Sequence, residues 1–268
     1  MTEILGIDIG GTGIKGALVD LDRGELTSER IRILTPKNST PKNCADVVAK
    51  MVHKFRKRLD PEAPIGIAIP GPIVHGTVMF MANLHKSWVG TNADDLFSKK
   101  LKRPVYLCND ADAAGFAEAR YGAAKGVNDL VIVTTLGTGI GSAIIYKGHL
   151  IPNTELGHLE IDGHDAETRA SSGYKTKKKL SYKEWSKCLQ RYYDELEKLF
   201  SPDLIVVGGG ISKQADKFLP LLKLRPRIVA AKLENQAGIV GAAALAAERM
   251  PGYSLPSMTN NEWYNSAD

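Results

Sequence analysis

Gly11-Thr12-Gly13-Ile14 and Gly137-Thr138-Gly139-Ile140 are the same four residues, placed once in each half of the chain. The first copy follows an aliphatic run, Ile4 to Ile9, and leads into another, Ile14 to Asp20. The second follows Leu130 to Leu136 and leads into Ser142 to Tyr146. Two strand-like runs joined by a short glycine-rich segment make a hairpin pattern. The likeness continues past the turns, pairing Ala17 with Ala143 and Leu18-Val19 with Ile144-Ile145. The chain therefore reads as an internal duplication.

Outward from the first copy, Glu29 to Leu34 alternates as a third strand. Ser39-Thr40-Pro41 is a helix start, with Pro at the first helical position and apolar residues from Cys44 to Leu59 at helical spacing. Ile65 to Ile69 is a buried strand ending in Pro70-Gly71-Pro72, and Pro104 to Leu107 is another that leads into Asn109-Asp110-Ala111-Asp112 and an Ala-rich helix. Beyond the second copy, a basic run from Lys175 to Lys183 reads as a loop entering a helix over Ser181 to Phe200. Leu204 to Val207 is a strand entering Gly208-Gly209-Gly210, Arg227 to Leu233 is a last strand, and Gly238 to Met250 is an Ala-rich helix. The expected organisation is a small α/β lobe over 1–108 completed by a helix at 236–250, a large α/β lobe over 109–235, and a tail at 251–268.

Composition sets the class. The 268 residues are 43% hydrophobic and 24% charged, which excludes disordered, collagenous and coiled-coil material. Subtracting 30 Asp+Glu from 35 Lys+Arg leaves +5, too little to mark a nucleic-acid partner. Cys44, Cys108 and Cys188 are scattered, which suits a reducing cytoplasm better than a disulfide framework. No apolar run reaches the ~18–20 residues of a membrane helix, so no membrane partner is expected.

Gly11-Thr12-Gly13-Ile14-Lys15-Gly16 matches the glycine spacing of the dinucleotide fingerprint, but that fingerprint needs a helix after it, and here a strand follows. No Gly-Lys-Ser/Thr closes either turn, so neither is a Walker loop. Bare backbone N–H groups beside Thr hydroxyls suit phosphate oxygens. Gly10, Gly11, Thr12, Gly13 and Lys15 in the first turn, and Gly137, Thr138 and Gly139 in the second, are accordingly expected to bind a phosphate donor. In the basic run, Lys177 and Lys178 are candidates to attract a polyanion, against the ordinary reading of a solvated face.

Asp8-Ile9-Gly10-Gly11-Thr12-Gly13, Thr135-Leu136-Gly137-Thr138-Gly139-Ile140-Gly141 and Val207-Gly208-Gly209-Gly210-Ile211-Ser212 resemble the phosphate and nucleotide loops of sugar kinases with the actin-like ATPase (ribonuclease H-like) fold. The nearer resemblance, over about residues 3 to 250, is to the ROK family and its polyphosphate glucokinase branch. It implies two α/β lobes with an interlobe cleft and transfer of a phosphoryl group from inorganic polyphosphate, or ATP, to the 6-hydroxyl of glucose, with mannose as a second acceptor.

The resemblance also assigns roles. Asp110 is the catalytic base, and Asn109 a contact to a ring hydroxyl, although Asn and Asp at that position also cap helices. Glu155-Leu156-Gly157-His158 supplies two sugar contacts, Glu155 and His158; Glu167, Asn83 and the backbone of Gly71 supply others. Gly209 and Gly210 line the donor side, and Asp8 faces Mg²⁺ through water, although an acid there could simply bond the glycine N–H groups. The chain lacks the Cys-rich zinc module that follows the His in other members, so no zinc is expected. A homodimer is implied. The alternatives are a non-catalytic sugar-sensing member of the family and, further off, an NAD-dependent oxidoreductase.

Overall fold

The computed structural model describes residues 3–249, so the expected tail, and Met250 at the end of the expected last helix, lie outside the described residues. Along the chain run β1 (Glu3–Ile9), β2 (Ile14–Asp20), β3 (Glu25–Leu26), β4 (Ile31–Ile33), α1 (Pro41–Phe55), β5 (Ile65–Ile69), β6 (Ile73–Val74), β7 (Thr77–Val78), α2 (Ala93–Leu101), β8 (Val105–Asn109) and α3 (Asp110–Tyr121). There follow β9 (Leu130–Leu136), β10 (Ile140–Tyr146), β11 (His149–Ile151), β12 (Glu160–Ile161), β13 (His164–Asp165), α4 (Glu167–Ala170), α5 (Ser172–Lys178), α6 (Tyr182–Phe200), β14 (Leu204–Gly208), β15 (Arg227–Ala230) and α7 (Ala237–Glu248). The chain divides into two compact units, whose described residues are 3–117 with 236–249, and 118–235; the division falls inside α3.

Each unit is built on a sheet, and the two sheets have the same plan. In the first the order is β3-β2-β1-β5-β8, with β4 also on β2; in the second it is β11-β10-β9-β14-β15. In the first, β1 and β2 form an antiparallel hairpin closing at Ile9 opposite Ile14, and β5 and β8 add in parallel. In the second, β9 and β10 close at Leu136 opposite Ile140, and β14 and β15 add in parallel. The repeated turn is thus the visible part of a repeated sheet.

Alternation along β1 sorts its side chains onto two faces. Leu5, Ile7 and Ile9 enter a core with Val48 and Met51 of α1, Trp88 and Phe97. Helix α1 starts where expected: Thr40 Oγ1 accepts the Asn43 N–H at 3.3 Å and Pro41 takes the first turn. On the other face, Gly6 and Gly66 let the backbone of α7 lie directly on the sheet; a Cβ would stand 2.0 Å from the Ile239 oxygen at Gly6 and 1.8 Å from the Ala242 oxygen at Gly66. The Ala-rich composition of α7 has this reason: bulky side chains would hold the helix away from the sheet.

In the second unit, Ile132, Ile144, Ile205 and Val207 pack against Trp185, Leu189, Tyr192 and Tyr193 of α6. The opposite face packs Val131, Val133 and Val206 with Ala119 and Ala124. Ser181 and Glu184 cap α6 reciprocally. Glu118, 1% exposed, accepts backbone N–H groups from Ala123 (2.7 Å), Lys232 (3.1 Å) and Leu233 (2.7 Å), which ties down the segment after β15.

Some expectations fail locally. The third strand shrinks to Ile31–Ile33, because only Ile31, Arg32 and Ile33 find partners on β2. The last strand stops at Ala230, the final residue paired with β14. The supposed loop at Lys175 is largely helix, α5, capped by Ser171, whose hydroxyl accepts the Tyr174 N–H at 3.2 Å. Helix α2 and the β6–β7 hairpin were not foreseen. Among the described residues no helix is long and apolar enough to cross a membrane.

Candidate active site

In the first unit the expected residues gather at the carboxyl ends of the parallel strands β1, β5 and β8, where ligands of open α/β sheets usually bind. Asp8 stands opposite Ala68, and Asn109 opposite Ile69, just before Pro70-Gly71. The turn after Asp8 is tight: the Gly10 N–H donates to the Gly13 oxygen at 3.1 Å. Asp8 instead accepts from Lys15 Nζ at 3.1 Å, a pairing made possible because the hairpin register sets the two opposite each other. The Asp8 carboxyl also lies beside Gly238 in the first turn of α7, 3.7 Å from where its Cβ would be, and a helix N-terminus favours an anion.

The remaining residues of this unit join the same edge. A Cβ on Gly11 would be 3.0 Å from the Asn83 oxygen, so the exposed Asn83 segment leans on the first turn. Thr12 is exposed. At Gly71 a Cβ would meet the Phe80 oxygen at 2.3 Å, so this position has to be Gly for the segment at Phe80 to pass. Asn109, 4% exposed, is the cap of α3: its Oδ1 accepts from Ala111 N at 2.7 Å and Asp112 N at 3.4 Å. The amide is therefore the capping group, and Asp110 is the first residue of the helix, half-buried.

In the second unit the acid-rich segments surround the second turn. The Gly137 N–H donates to the Gly139 oxygen at 3.0 Å. Ile140, the next residue, is held at both backbone groups: Glu167 Oε2 accepts its N–H at 3.0 Å, and Gly157 packs on its oxygen, which a Cβ would approach to 2.2 Å. Glu155, Gly157 and His158 are thereby placed next to the turn, and Glu167 has a backbone partner that sequence reasoning did not give it. Gly209, with φ +84°, crosses the end of β9, where a Cβ would be 2.5 Å from the Leu136 oxygen; only Gly combines that φ with that approach. Gly210 meets open space.

His158 Nδ1 lies 3.0 Å from Asp165 Oδ2. That bond is the first cause of a pKa raised above 6.5; burial opposes it, and the charges of Glu167, Glu155 and Asp165 reinforce it. Asp165 was missed, because nothing in a spacing of seven residues marks a partner. The hairpin β12–β13 that carries it is fastened by Arg191, which donates to Asp162 Oδ2 (3.1 Å) and Oδ1 (3.0 Å). These contacts hold the segment after His158.

The basic run grows from the same turn. Gly173 N donates to the Gly137 oxygen at 2.9 Å, and Ser172 Oγ to it at 2.8 Å, so α5 begins on the turn and carries its lysines away. Lys175 folds over the Tyr182 ring, 4.3 Å from its centroid, while Lys177 and Lys178 are exposed. Both glycine turns lead into strands, which removes the dinucleotide fingerprint and with it the oxidoreductase alternative.

The sequence model of the ROK family matches residues 4–176. The chain belongs to the ROK family. A polyphosphate glucokinase of Mycobacterium tuberculosis is 51% identical over 239 residues, covering 89% of this chain and 89% of that protein. The crystal structure of an inorganic polyphosphate/ATP-glucomannokinase from Arthrobacter sp. strain KM is 54% identical, with a TM-score of 0.88, over 93% of this chain and 100% of that one. A ROK-family glucokinase from Streptomyces griseus, crystallised with glucose and AMPPNP, is 25% identical with a TM-score of 0.79, over 92% and 100%. The two repeated sheets are those of the actin-like fold of these family members.

Proposed function

We propose that this chain moves the terminal phosphoryl group of inorganic polyphosphate to the 6-hydroxyl of glucose, with ATP as a second donor and mannose as a second acceptor. One observation carries the reading: two matched backbone-lined turns at equivalent strand ends, each joined to acid- and amide-bearing segments, in a chain 51% identical to polyphosphate glucokinases.

The turns supply N–H groups and Thr12 and Thr138 hydroxyls to donor oxygens. Lys177 and Lys178 extend that binding outward along α5, a helix of roughly 10 Å, comparable with a Debye length of ~8 Å at physiological salt. Glu155, His158, Glu167 and Asn83 bind ring hydroxyls, Asn109 does so from a rotamer its cap bonds fix, and Gly71 supplies backbone. Asp110 accepts the proton of the 6-hydroxyl as that oxygen bonds to phosphorus and the anhydride bond breaks, leaving polyphosphate one unit shorter. A carboxylate with an ordinary pKa of ~4 is a weak base, so its main contribution is to aim the nucleophile, with late proton transfer.

A divalent cation is needed by kinases of this kind, and the chain's donor set can be tested against it. Among the described residues no group of three His, Cys, Asp or Glu side chains could hold a metal ion. Asp8 is a single carboxylate, already shared with Lys15. That set makes no all-protein cage but fits Mg²⁺, which keeps several waters and takes other ligands from substrate phosphates. Asp8 would hold it through water. When bound, the ion neutralises charge on the donor oxygens.

The test is glucose phosphorylation by the purified chain with Mg²⁺ and either long-chain polyphosphate or ATP, followed as glucose 6-phosphate formed. In Asp110→Asn, turnover falls by about 10²–10⁴ while calorimetric glucose binding persists. Full activity in the variant removes Asp110 from its role, and glucose binding without turnover in the unaltered chain favours the sensor.

A further inference from the structure

The second unit contains a cavity of about 310 Å³ that the reaction above does not use. Its size falls at the lower end of small-molecule pockets, roughly 300–1,000 Å³. The walls are apolar: Ile161, Ala166, Ala170 and the rings of Tyr174 and Tyr192. Tyr192 is 1% exposed and closes the floor of the cavity.

The rim is cationic. Arg191 is neutralised by Asp162 and Glu195. Lys187 lies within Coulombic reach of Glu184 without a close ion pair, and among the described residues Arg169 forms no ion pair. Arg169 donates to His164 Nε2 at 2.8 Å, an acceptor only while that nitrogen carries no proton, so the guanidinium charge meets no carboxylate there. Two cations without a close carboxylate contact, set over apolar walls, match a dianionic phosphate on a carbon ring, whose C–H face can lie against Tyr174. A bare inorganic chain would leave the walls uncontacted.

We propose that this cavity is a second ligand site, taking a phosphorylated sugar. It is coupled to the acceptor residues through its own walls. Hairpin β12–β13 presents His164 to the cavity and, one residue on, Asp165 to His158. Helix α4 presents Arg169 to the cavity and Glu167 to Ile140. A phosphate that draws Arg169 off His164 therefore moves the two elements that place His158 and Glu167.

Cys188 lines the cavity and supplies the readout. Burial raises all three thiols, Cys44 to about 11, Cys108 further still, and Cys188 less, with the Arg169 charge opposing the rise, so Cys188 is the thiol that a disulfide reagent reaches first. Its labelling rate is measured on the full chain with glucose 6-phosphate, tripolyphosphate or glucose added. Glucose 6-phosphate at four times its Kd slows labelling about fivefold by mass action, and the protection is lost in Lys187→Glu, or in the milder Lys187→Gln if that folds better. Lys187 is exposed, and kcat and KM for glucose in the absence of added product stay unchanged in either variant. Absence of protection overturns the proposal. So does equal protection in the Lys187 variants, which assigns it to product at the reaction site, and so does protection by tripolyphosphate alone, which assigns the cavity to the donor. The readout needs no turnover, so its failure is separable from failure of the kinase reading.

Discussion

Adding one methyl group at Gly66 should lift α7 from the first sheet. The new Cβ would lie 1.8 Å from the Ala242 oxygen, 2.3 Å from its carbonyl carbon and 2.9 Å from the Ala243 nitrogen, all of them backbone. To restore an ordinary 3.4 Å contact, the helix must retreat by about 1.6 Å. No side chain can rotate away, so the cost belongs at the top of the range for overpacking, about 3 kcal/mol. Against it stands the smaller entropy of the unfolded chain with Ala, about 0.4–1 kcal/mol. The clash wins, and Gly66→Ala is destabilised by about 2 kcal/mol, which lowers Tm by roughly 4–8 °C in a domain of 150–250 residues. Calorimetric melting measures it. Gly126→Ala is the control: φ is +79° there but nothing lies within 4 Å, so strain acts without collision. A Gly66→Ala melt within a degree of the unaltered chain, or above it, would refute backbone contact as the reason for glycine.

Asp165→Asn should lower the His158 pKa, since the Asp165 bond is its first cause. With the folded pKa above 6.5, the pair stabilises the fold fully below pH 6.5 and loses its effect as pH rises through the raised value; NMR titration of the imidazole reports both. Glu167→Ala should raise KM for polyphosphate as well as glucose, about tenfold for a loss of ~1.4 kcal/mol, because it releases the Ile140 N–H; a change in glucose KM alone would confine Glu167 to the sugar. If Lys177 and Lys178 track the polyanion, polyphosphate use should fall with salt more steeply than ATP use, and Lys177→Gln with Lys178→Gln should flatten that difference. Equal salt slopes in the unaltered chain would remove the track.

What could be read in the sequence was what repeats or what obeys a period. The twin turns stood out because glycine and threonine were flanked by aliphatic runs on both sides, and α1 because proline, cap and apolar spacing agreed. Helix α2 escaped because Ala93–Leu101 is mostly polar and buries only Ala93 and Phe97. Helix α5 escaped because lysines hide any apolar face: no residue of it is buried, and its evidence is a Ser171 cap and a left-handed Lys179 end. Within the site, positions fixed by strand ends were legible, and partners fixed by tertiary approach were not. Asp165 on His158, Arg191 on Asp162 and the Ile140 N–H on Glu167 join elements whose distance in sequence carries no signal.

The seating of α7 on Gly6 and Gly66 also sets an order of events during synthesis. At translation speeds of about 5–20 residues per second, the opening strand waits roughly 12–50 s for the segment that covers it. During that interval a glycine-floored face of β1 and β5 stays open beside a ribosome, and the first lobe to be made is the last to be finished. Slow codons or a chaperone acting as the segment around Ala237 emerges would therefore govern the yield of the first unit.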